Sequence, residues 1–290
     1  MSGNNETLYE KDAETHIARI TFNRPSKLNA MTLEMYQDMT RFLDDAADDD
    51  DIKVVILRGA GGIFTAGQDL SEVYGWYDNP KKPGEKRRPS QRRRLAVDRQ
   101  NLDWYHRLLF HPKATIAQVE TYALGGGFEF MMSCDLSVVG YGTKMGMPAA
   151  RYLGPSLGDL HLFFHRLGPV LAKDLLLTGR TATSDELAHL GVFSRHVPQE
   201  DVEKTTEELA TTVARMPADG IVIAKEAYRL VEESQGMALS HTFSYFLHSF
   251  ATNLRFEPDE FNFVRTRSKN SLAKSFDLVD EYFENTTESE

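Results

Sequence analysis

The sequence predicts an α/β fold, with a parallel sheet holding a ligand site at the C-terminal ends of its strands and a helical last third. Three observations carry this. Short β-branched or continuously apolar runs alternate with helical periodicity through the first two thirds of the chain, the order expected of a parallel sheet. Glycine clusters follow two of those strands, at Gly59, Gly61 and Gly62 and again at Gly125, Gly126 and Gly127, where open α/β sheets bind their ligands. From about Leu157 onward the strand patterns give way to helical ones.

Taken in order, His16 to Phe22 (HIARITF) alternates with β-branched residues and stops at Asn23-Arg24-Pro25, which reads as a strand ended by a turn. Thr32 is placed to cap a helix whose Tyr36, Met39, Phe42, Leu43 and Ala46 share one face, and the acidic run Asp48 to Asp51 ends it. Lys53 to Leu57 (KVVIL) suits a strand buried on both faces. Thr115 to Val119 then reads as a strand, the three glycines as a turn, Phe128 to Cys134 as a short helix, and Leu136 to Val139 as another strand. Leu171 to Leu177 is helical, and Thr183 with Glu186 forms a capping box for a helix that Gly191 ends. Val192 to Val197 reads as a last strand. Helices follow over Gln199 to Arg215, Ala218 to Glu233 and Met237 to Arg255, broken at Pro217 and Gly236. The domain boundary falls near residue 200, giving a core at 1–200 and a helical region at 201–290 that covers the core and mediates assembly. The aromatic helix SHTFSYFLHSF from Ser240 reads as core or subunit interface rather than as a binding site.

Composition narrows the class. At 290 residues, with 41% hydrophobic and 26% charged, the chain can bury a full core without staples. The polar, acidic N-terminus lacks a secretory pattern, and no apolar run approaches the roughly 18 residues of a membrane span, so a cytoplasmic enzyme without membrane partners is expected. The single cysteine, Cys134, excludes an internal disulfide framework and reads as core packing. A net charge of −10 argues against nucleic acid as a partner, yet Lys81 to Arg99 holds nine lysines or arginines against Glu85 and Asp98. That basic insertion, at about 80–99, has two readings. It could meet a nucleotide cofactor's phosphates through residues such as Arg92, Arg93 and Arg94, or it could be a solvated loop rich in Pro, Gly and charge. The acidic stretch from Asp277 to Glu290 reads as a solvated tail.

The chemistry concentrates in two loops, FTAGQDL (Phe64 to Leu70) and YALGGGFE (Tyr122 to Glu129), each following a strand. Successive glycines remove every Cβ, so the backbone can press against a ligand and aim amides at it, and a helix N-terminus adds the positive end of its dipole. If the N–H groups of Gln68 and Gly126 converge, they form a two-donor hole for a thioester oxygen becoming an enolate.

Together the loops, their strands and the flanking sequence closely resemble the crotonase, or enoyl-CoA hydratase/isomerase, superfamily. The resemblance runs from about His16 to Pro198 through FNRPSKLNAMT (Phe22 to Thr32), AGQD (Ala66 to Asp69), YALGGGFE, CDLSVVG (Cys134 to Gly140) and LLLTGRTATSDELAHLGVFSRHVP (Leu175 to Pro198). It implies a crotonase-like spiral of ββα units with C-terminal trimerisation helices, assembled as a homotrimer or dimer of trimers. It implies an acyl-CoA ligand, coenzyme A entering as part of the substrate with no separate cofactor and no metal. It assigns the oxyanion hole to the amides of Gln68 and Gly126, and the first catalytic glutamate to Glu129. Ala66, Gly67, Asp69, Leu70, Gly125 and Gly127 belong to the substrate-binding loops, with Tyr74, Trp76 and Tyr77 as walls of an acyl pocket or as plain packing, and Arg92 and Arg93 toward coenzyme A. Burial would raise the pKa of Glu129 and the helix N-terminus would lower it.

One departure qualifies the resemblance. Hydratases of the family carry a second glutamate in a Pro-Glu step roughly twenty residues after the first, but here GMPAARYLG (Gly146 to Gly154) places Ala149 or Ala150 there. Asp159 is a candidate partner for Glu129, although an acid at that place also reads as a helix N-terminal residue. His161 and His165 stand i, i+4 on one helix without the carboxylates of a metal motif, and read as structural or surface residues. The expected function is an enoyl-CoA hydratase/isomerase-type enzyme. The alternatives are double-bond isomerisation or carbon–carbon bond hydrolysis on the same enolate, and, in another class, a non-catalytic acyl-CoA-binding paralogue. No serine-hydrolase elbow or P-loop is present.

Overall fold

A computed structural model describes residues 5–73, 75–78, 89–154, 158–251 and 254–284. The chain opens with β1 (Thr7–Asp12), β2 (Ile17–Phe22), α1 (Leu33–Asp48) and β3 (Val54–Gly59). It continues through α2 (Gln91–Leu109), β4 (Ala114–Val119), β5 (Tyr122–Leu124), α3 (Gly126–Ser133), β6 (Leu136–Gly140) and β7 (Lys144–Gly146). Next come α4 (Ala150–Leu153), α5 (Leu160–Leu167), α6 (Pro169–Thr178), β8 (Thr181–Thr183), α7 (Ser184–Leu187) and β9 (Arg195–Val197). The last part is helical, with α8 (Val202–Ala214), α9 (Ala218–Ser234), α10 (Met237–Ala251), α11 (Phe263–Arg267) and α12 (Leu272–Glu284). Among the described residues no helix is long and apolar enough to cross a membrane.

Six strands form one sheet in the order β1-β2-β3-β4-β6-β9, parallel except for the β1–β2 pair, and β5, β7 and β8 form a smaller second sheet. The register Ile17↔Val54, with Val54↔Ala114, explains why these strands read as continuous apolar runs. Ile17, Val54, Ile56 and Ile116 face Ala210 and Ala214 of α8, whereas Ala18, Ile20, Phe22, Val55 and Leu57 join the main core. Both faces of the sheet are covered, so alternation is lost.

Local signals hold where they were strong. Thr32 caps α1 by accepting the Met35 N–H at 3.2 Å, and Tyr36, Met39, Leu43 and Ala46 are buried while Phe42 is half-buried. Thr183 caps α7 through the Glu186 N–H, but the Glu186 carboxylate goes to Arg180 rather than completing the box. Cys134 is a buried core thiol whose pKa burial raises.

Two expectations need correction. Of the two readings of the basic insertion, the solvated loop fails over residues 91–99, which are helical: Ser90 caps α2, and Val97, Leu102, Trp104, Tyr105 and Leu108 sink into the core, while residues 79–88 lie outside the described residues. The acidic tail is likewise α12 as far as Glu284, because Leu272, Phe276 and Val279 follow helical spacing. Val279 is fully buried, and Phe276 packs against Tyr152 and Phe263 with ring centroids 5.7 Å apart in each case.

Candidate active site

The two glycine loops touch. Gly67 has φ +89°, and a Cβ there would lie 2.5 Å from Leu124 O and 3.2 Å from Gly126 N, so only glycine permits the contact. Met31 runs parallel to this loop, its N–H donating to Gly67 O at 2.8 Å and its carbonyl accepting from Asp69 N–H at 2.9 Å. A parallel ladder that uses Gly67 O and Asp69 N–H turns the Gln68 N–H to the opposite side. Gly126 begins α3, where the first amides have no partner within the helix. Gln68 and Gly126 both line one cavity of about 480 Å³.

The three glycines have separate reasons. Gly125 adopts φ +54°, a Cβ on Gly126 would meet Tyr105 Oη at 2.5 Å, and a Cβ on Gly127 would meet Thr65 Cγ2 at 2.6 Å. The Tyr36 and Tyr105 phenols beneath the loop have raised pKa values, mainly through burial, and stay protonated.

Glu129 lies in the first turn of α3, is only 4% exposed, and lines the same cavity. Its Oε1 accepts the Asp159 N–H at 2.7 Å. Burial pushes its pKa up to about 8; the Asp159 amide lowers it and the nearby Asp159 carboxylate raises it. Burial therefore prevails over the amide and dipole field of the helix end. At neutral pH most of this carboxyl carries a proton and can donate it.

Asp159 contributes through its backbone. Its carboxylate caps α5, Oδ1 accepting the His161 N–H at 3.1 Å, and is not among the groups lining the cavity. Oδ2 faces His106 Nε2 at 3.7 Å and His241 Nδ1 at 3.9 Å. These three residues could be read as metal ligands, but the two imidazole rings stack with centroids 3.1 Å apart. Two imidazoles on one tetrahedral ion would hold their rings about 5 Å apart. His241 is kept neutral, its pKa lowered to about 4 by burial first and by His106 second.

Other sequence-predicted residues distribute as follows. Ala66, Asp69, Leu70 and Gly125 line the cavity, whereas Gly67 and Gly127 act by letting the loops pack. Ala149 lines the cavity and Ala150 does not, so Ala149 is the position that faces the site. Tyr74 lies outside the described residues. Trp76 and Tyr77 are buried packing residues: Trp76 sets its edge against Tyr36 and Trp104, and the Tyr77 hydroxyl donates to Asp98. Arg92 is exposed, Arg93 donates to Trp76 O at 2.8 Å, and Arg94 is buried beside the Tyr77 ring; none of the three lines the cavity. His161 and His165 stack on one another with centroids 5.4 Å apart, away from the cavity.

Sequence reasoning missed Lys27, Asp98, Asn101, His248 and Phe276, which also line the cavity. They come from a turn before α1 and from α2, α10 and α12; Lys27 lies within FNRPSKLNAMT without being singled out by it, and no local motif marks the other four. A roomier cavity of about 620 Å³ lies between α9 and the sheet edge around Asp135 and Lys225, but neither loop amide nor Glu129 reaches it. Both glycine loops and Glu129 line the cavity of about 480 Å³, which makes it the candidate site.

This combination of a mixed sheet, two facing glycine loops and a buried first-turn glutamate defines a crotonase-fold enzyme. The chain belongs to the enoyl-CoA hydratase/isomerase family, whose profile matches residues 12–270. A Mycobacterium tuberculosis protein named "Probable enoyl-CoA hydratase echA8" is 32% identical over 251 residues, covering 84% of this chain and 90% of that protein. The short-chain-enoyl-CoA hydratase of Clostridium acetobutylicum is 27% identical over 225 residues, covering 77% and 80% respectively. The crystal structure of an enoyl-CoA hydratase from Mycobacterium smegmatis superposes with a TM-score of 0.82 at 26% identity, covering 96% of this chain and 94% of that one.

Proposed function

We propose that this enzyme binds an acyl-CoA thioester, holds its carbonyl oxygen with the amides of Gln68 and Gly126, and moves a proton at the α carbon with Glu129. Addition of water to a 2-enoyl-CoA is the reaction. The observation that carries this reading is the meeting of both loop residues and the buried, proton-bearing Glu129 in one cavity. Two amides aimed at a developing enolate oxygen stabilise it strongly, since loss of one such donor costs roughly 2.7 to 4 kcal/mol. Lys27, exposed at the cavity wall, suits the phosphates of coenzyme A, which arrives as part of the substrate and needs no separate cofactor.

Ala149 favours a second reading. With no carboxylate at that wall, an isomerisation that shuttles one proton through Glu129 needs nothing further from the position. Products separate the two: hydration adds the mass of water and isomerisation adds none. The deciding experiment is Glu129→Gln, assayed by α-proton exchange of butyryl-CoA in D2O. Exchange should fall about 10²- to 10⁴-fold while thioester binding persists. Unchanged exchange would reject the assignment and leave an acyl-CoA-binding protein.

We also infer a homotrimer, the unit from which a dimer of trimers would be built, acting in the cytoplasm. Ile223, Leu230, Phe243 and Phe250 on α9 and α10 are 54 to 72% exposed, an apolar display of the kind subunit contacts cover. Sedimentation equilibrium at monomer mass would exclude it.

A further inference from the structure

We propose that His248, held by Asp98, is the second proton-handling group of this site and acts as the base that activates water. The proposal rests on the enolate chemistry described above and adds to it the group that Ala149 leaves unsupplied.

Three observations converge on this pair. First, both residues line the cavity that contains Gln68, Gly126 and Glu129, and they enter from α2 and α10, elements that the local motifs never pointed to. Second, Asp98 is fully buried, and its Oδ1 accepts from His248 Nδ1 at 3.0 Å and from the Tyr77 hydroxyl at 2.5 Å. Those contacts fix the imidazole's orientation and place its proton on Nδ1, so Nε2 is the free basic nitrogen. Among the described residues no group hydrogen-bonds Nε2, and the side chain keeps 20% exposure. A second group fixing an imidazole through Nδ1 is a recurrent way of presenting a general base. Third, burial pushes the Glu129 pKa up to about 8, which favours it as a proton donor to carbon and leaves the proton of an attacking water to a second group.

A structural role alone explains less. Burying a carboxylate costs several kcal/mol unless it is paired and hydrogen-bonded. An asparagine could accept from both Tyr77 and His248 at lower cost. Asp98 instead places a charge behind an imidazole at the edge of an acyl cavity.

The steps balance. Water attacks the β carbon, and its departing proton passes to His248 Nε2. The π pair moves onto the thioester, whose oxygen the two amides hold as an enolate. Collapse of the enolate takes the Glu129 proton onto the α carbon and yields a 3-hydroxyacyl thioester. Solvent then returns the proton on His248 to the Glu129 carboxylate as product leaves.

The test uses the whole protein with crotonyl-CoA for hydration and butyryl-CoA for α-proton exchange in D2O. In His248→Gln, hydration should fall by about 10²-fold or more while exchange stays within about twofold. Asp98→Asn should lower kcat for hydration with KM unchanged, and free imidazole should restore part of the activity of His248→Ala. Hydration at the parental rate in both His248→Gln and Asp98→Asn would overturn the proposal. So would loss of exchange along with hydration in both variants, which would mark a packing pair, and so would a parent that exchanges the α proton yet hydrates no trans-2-enoyl-CoA of any chain length. Parental exchange in Glu129→Gln would instead reject the underlying enolate reading, however the His248 variants behave.

Discussion

The Asp159 N–H donates to Glu129 Oε1 at 2.7 Å, so the acid of the site is held by a backbone amide at the start of α5 rather than by another side chain. That arrangement makes Glu129 one identifiable source of pH dependence in the fold. The folded pKa of Glu129, about 8, lies above its ordinary 4.5, so the folded state binds more protons than the unfolded chain between these values. Its contribution to stability is complete below about pH 4.5 and is lost as pH rises through about 8. The loss amounts to a few kcal/mol, at a maximum slope of roughly 1.4 kcal/mol per pH unit. Glu129→Gln keeps an acceptor for the Asp159 amide and removes the titration. Urea unfolding from pH 5 to pH 9 should therefore show a flatter profile in the variant, and parallel profiles would refute the raised pKa of Glu129.

The glycine at position 126 is a matter of space as well as of amide direction. Gly126→Ala places its Cβ 2.5 Å from Tyr105 Oη and 3.1 Å from Tyr36 Oη. Overpacking of this kind costs about 1 to 3 kcal/mol and displaces the loop amide. Tyr105→Phe removes the nearer oxygen. The double variant Gly126→Ala/Tyr105→Phe should recover part of both the lost melting temperature and the lost turnover. Strict additivity of the two changes would show that the hydroxyl is not what excludes a Cβ.

The sequence was most legible where chemistry and local geometry coincide. FTAGQDL and YALGGGFE are continuous stretches whose glycines serve both the turn and the close approach of the loops, so Gln68, Gly126 and Glu129 could be grouped as one candidate site without coordinates. His248 and Asp98 could not. Each sits on a helix in a setting that reads as packing or charge, and only the apposition of α2 and α10 brings them to the cavity. Charge also hid structure: Arg92 to Arg94 made the first turn of α2 resemble a loop, although Leu102, Trp104 and Tyr105 further along supply its buried face. The strand β1 went unread because it is an edge strand with one half-buried face, defined by its antiparallel register with β2 rather than by its own residues. The direction of the Glu129 pKa shift needed burial, which no sequence pattern supplies.

If the hole is built from backbone, the side chain at position 68 is dispensable. Gln68→Ala should retain turnover within about threefold, since the amide and its neighbouring Asp69–Met31 bond are unchanged. A loss of about 10²-fold would transfer the role to the carboxamide.

Charge at the cavity wall separates Lys27, proposed to meet coenzyme A, from the basic residues that support the fold. Lys27 is exposed and lines the cavity; Arg92 is exposed on α2 outside it; Arg93 and Arg94 are occupied with Trp76 and Tyr77. Lys27→Ala should raise KM for CoA thioesters several-fold at low ionic strength with kcat unchanged. The difference should shrink as salt shortens the Debye length from about 30 Å at 0.01 M to about 8 Å at 0.15 M. Arg92→Ala should leave KM unchanged under the same conditions. Steady-state kinetics over a salt series reads both at once, and a larger effect at Arg92 than at Lys27 would return the phosphates to the basic first turn of α2.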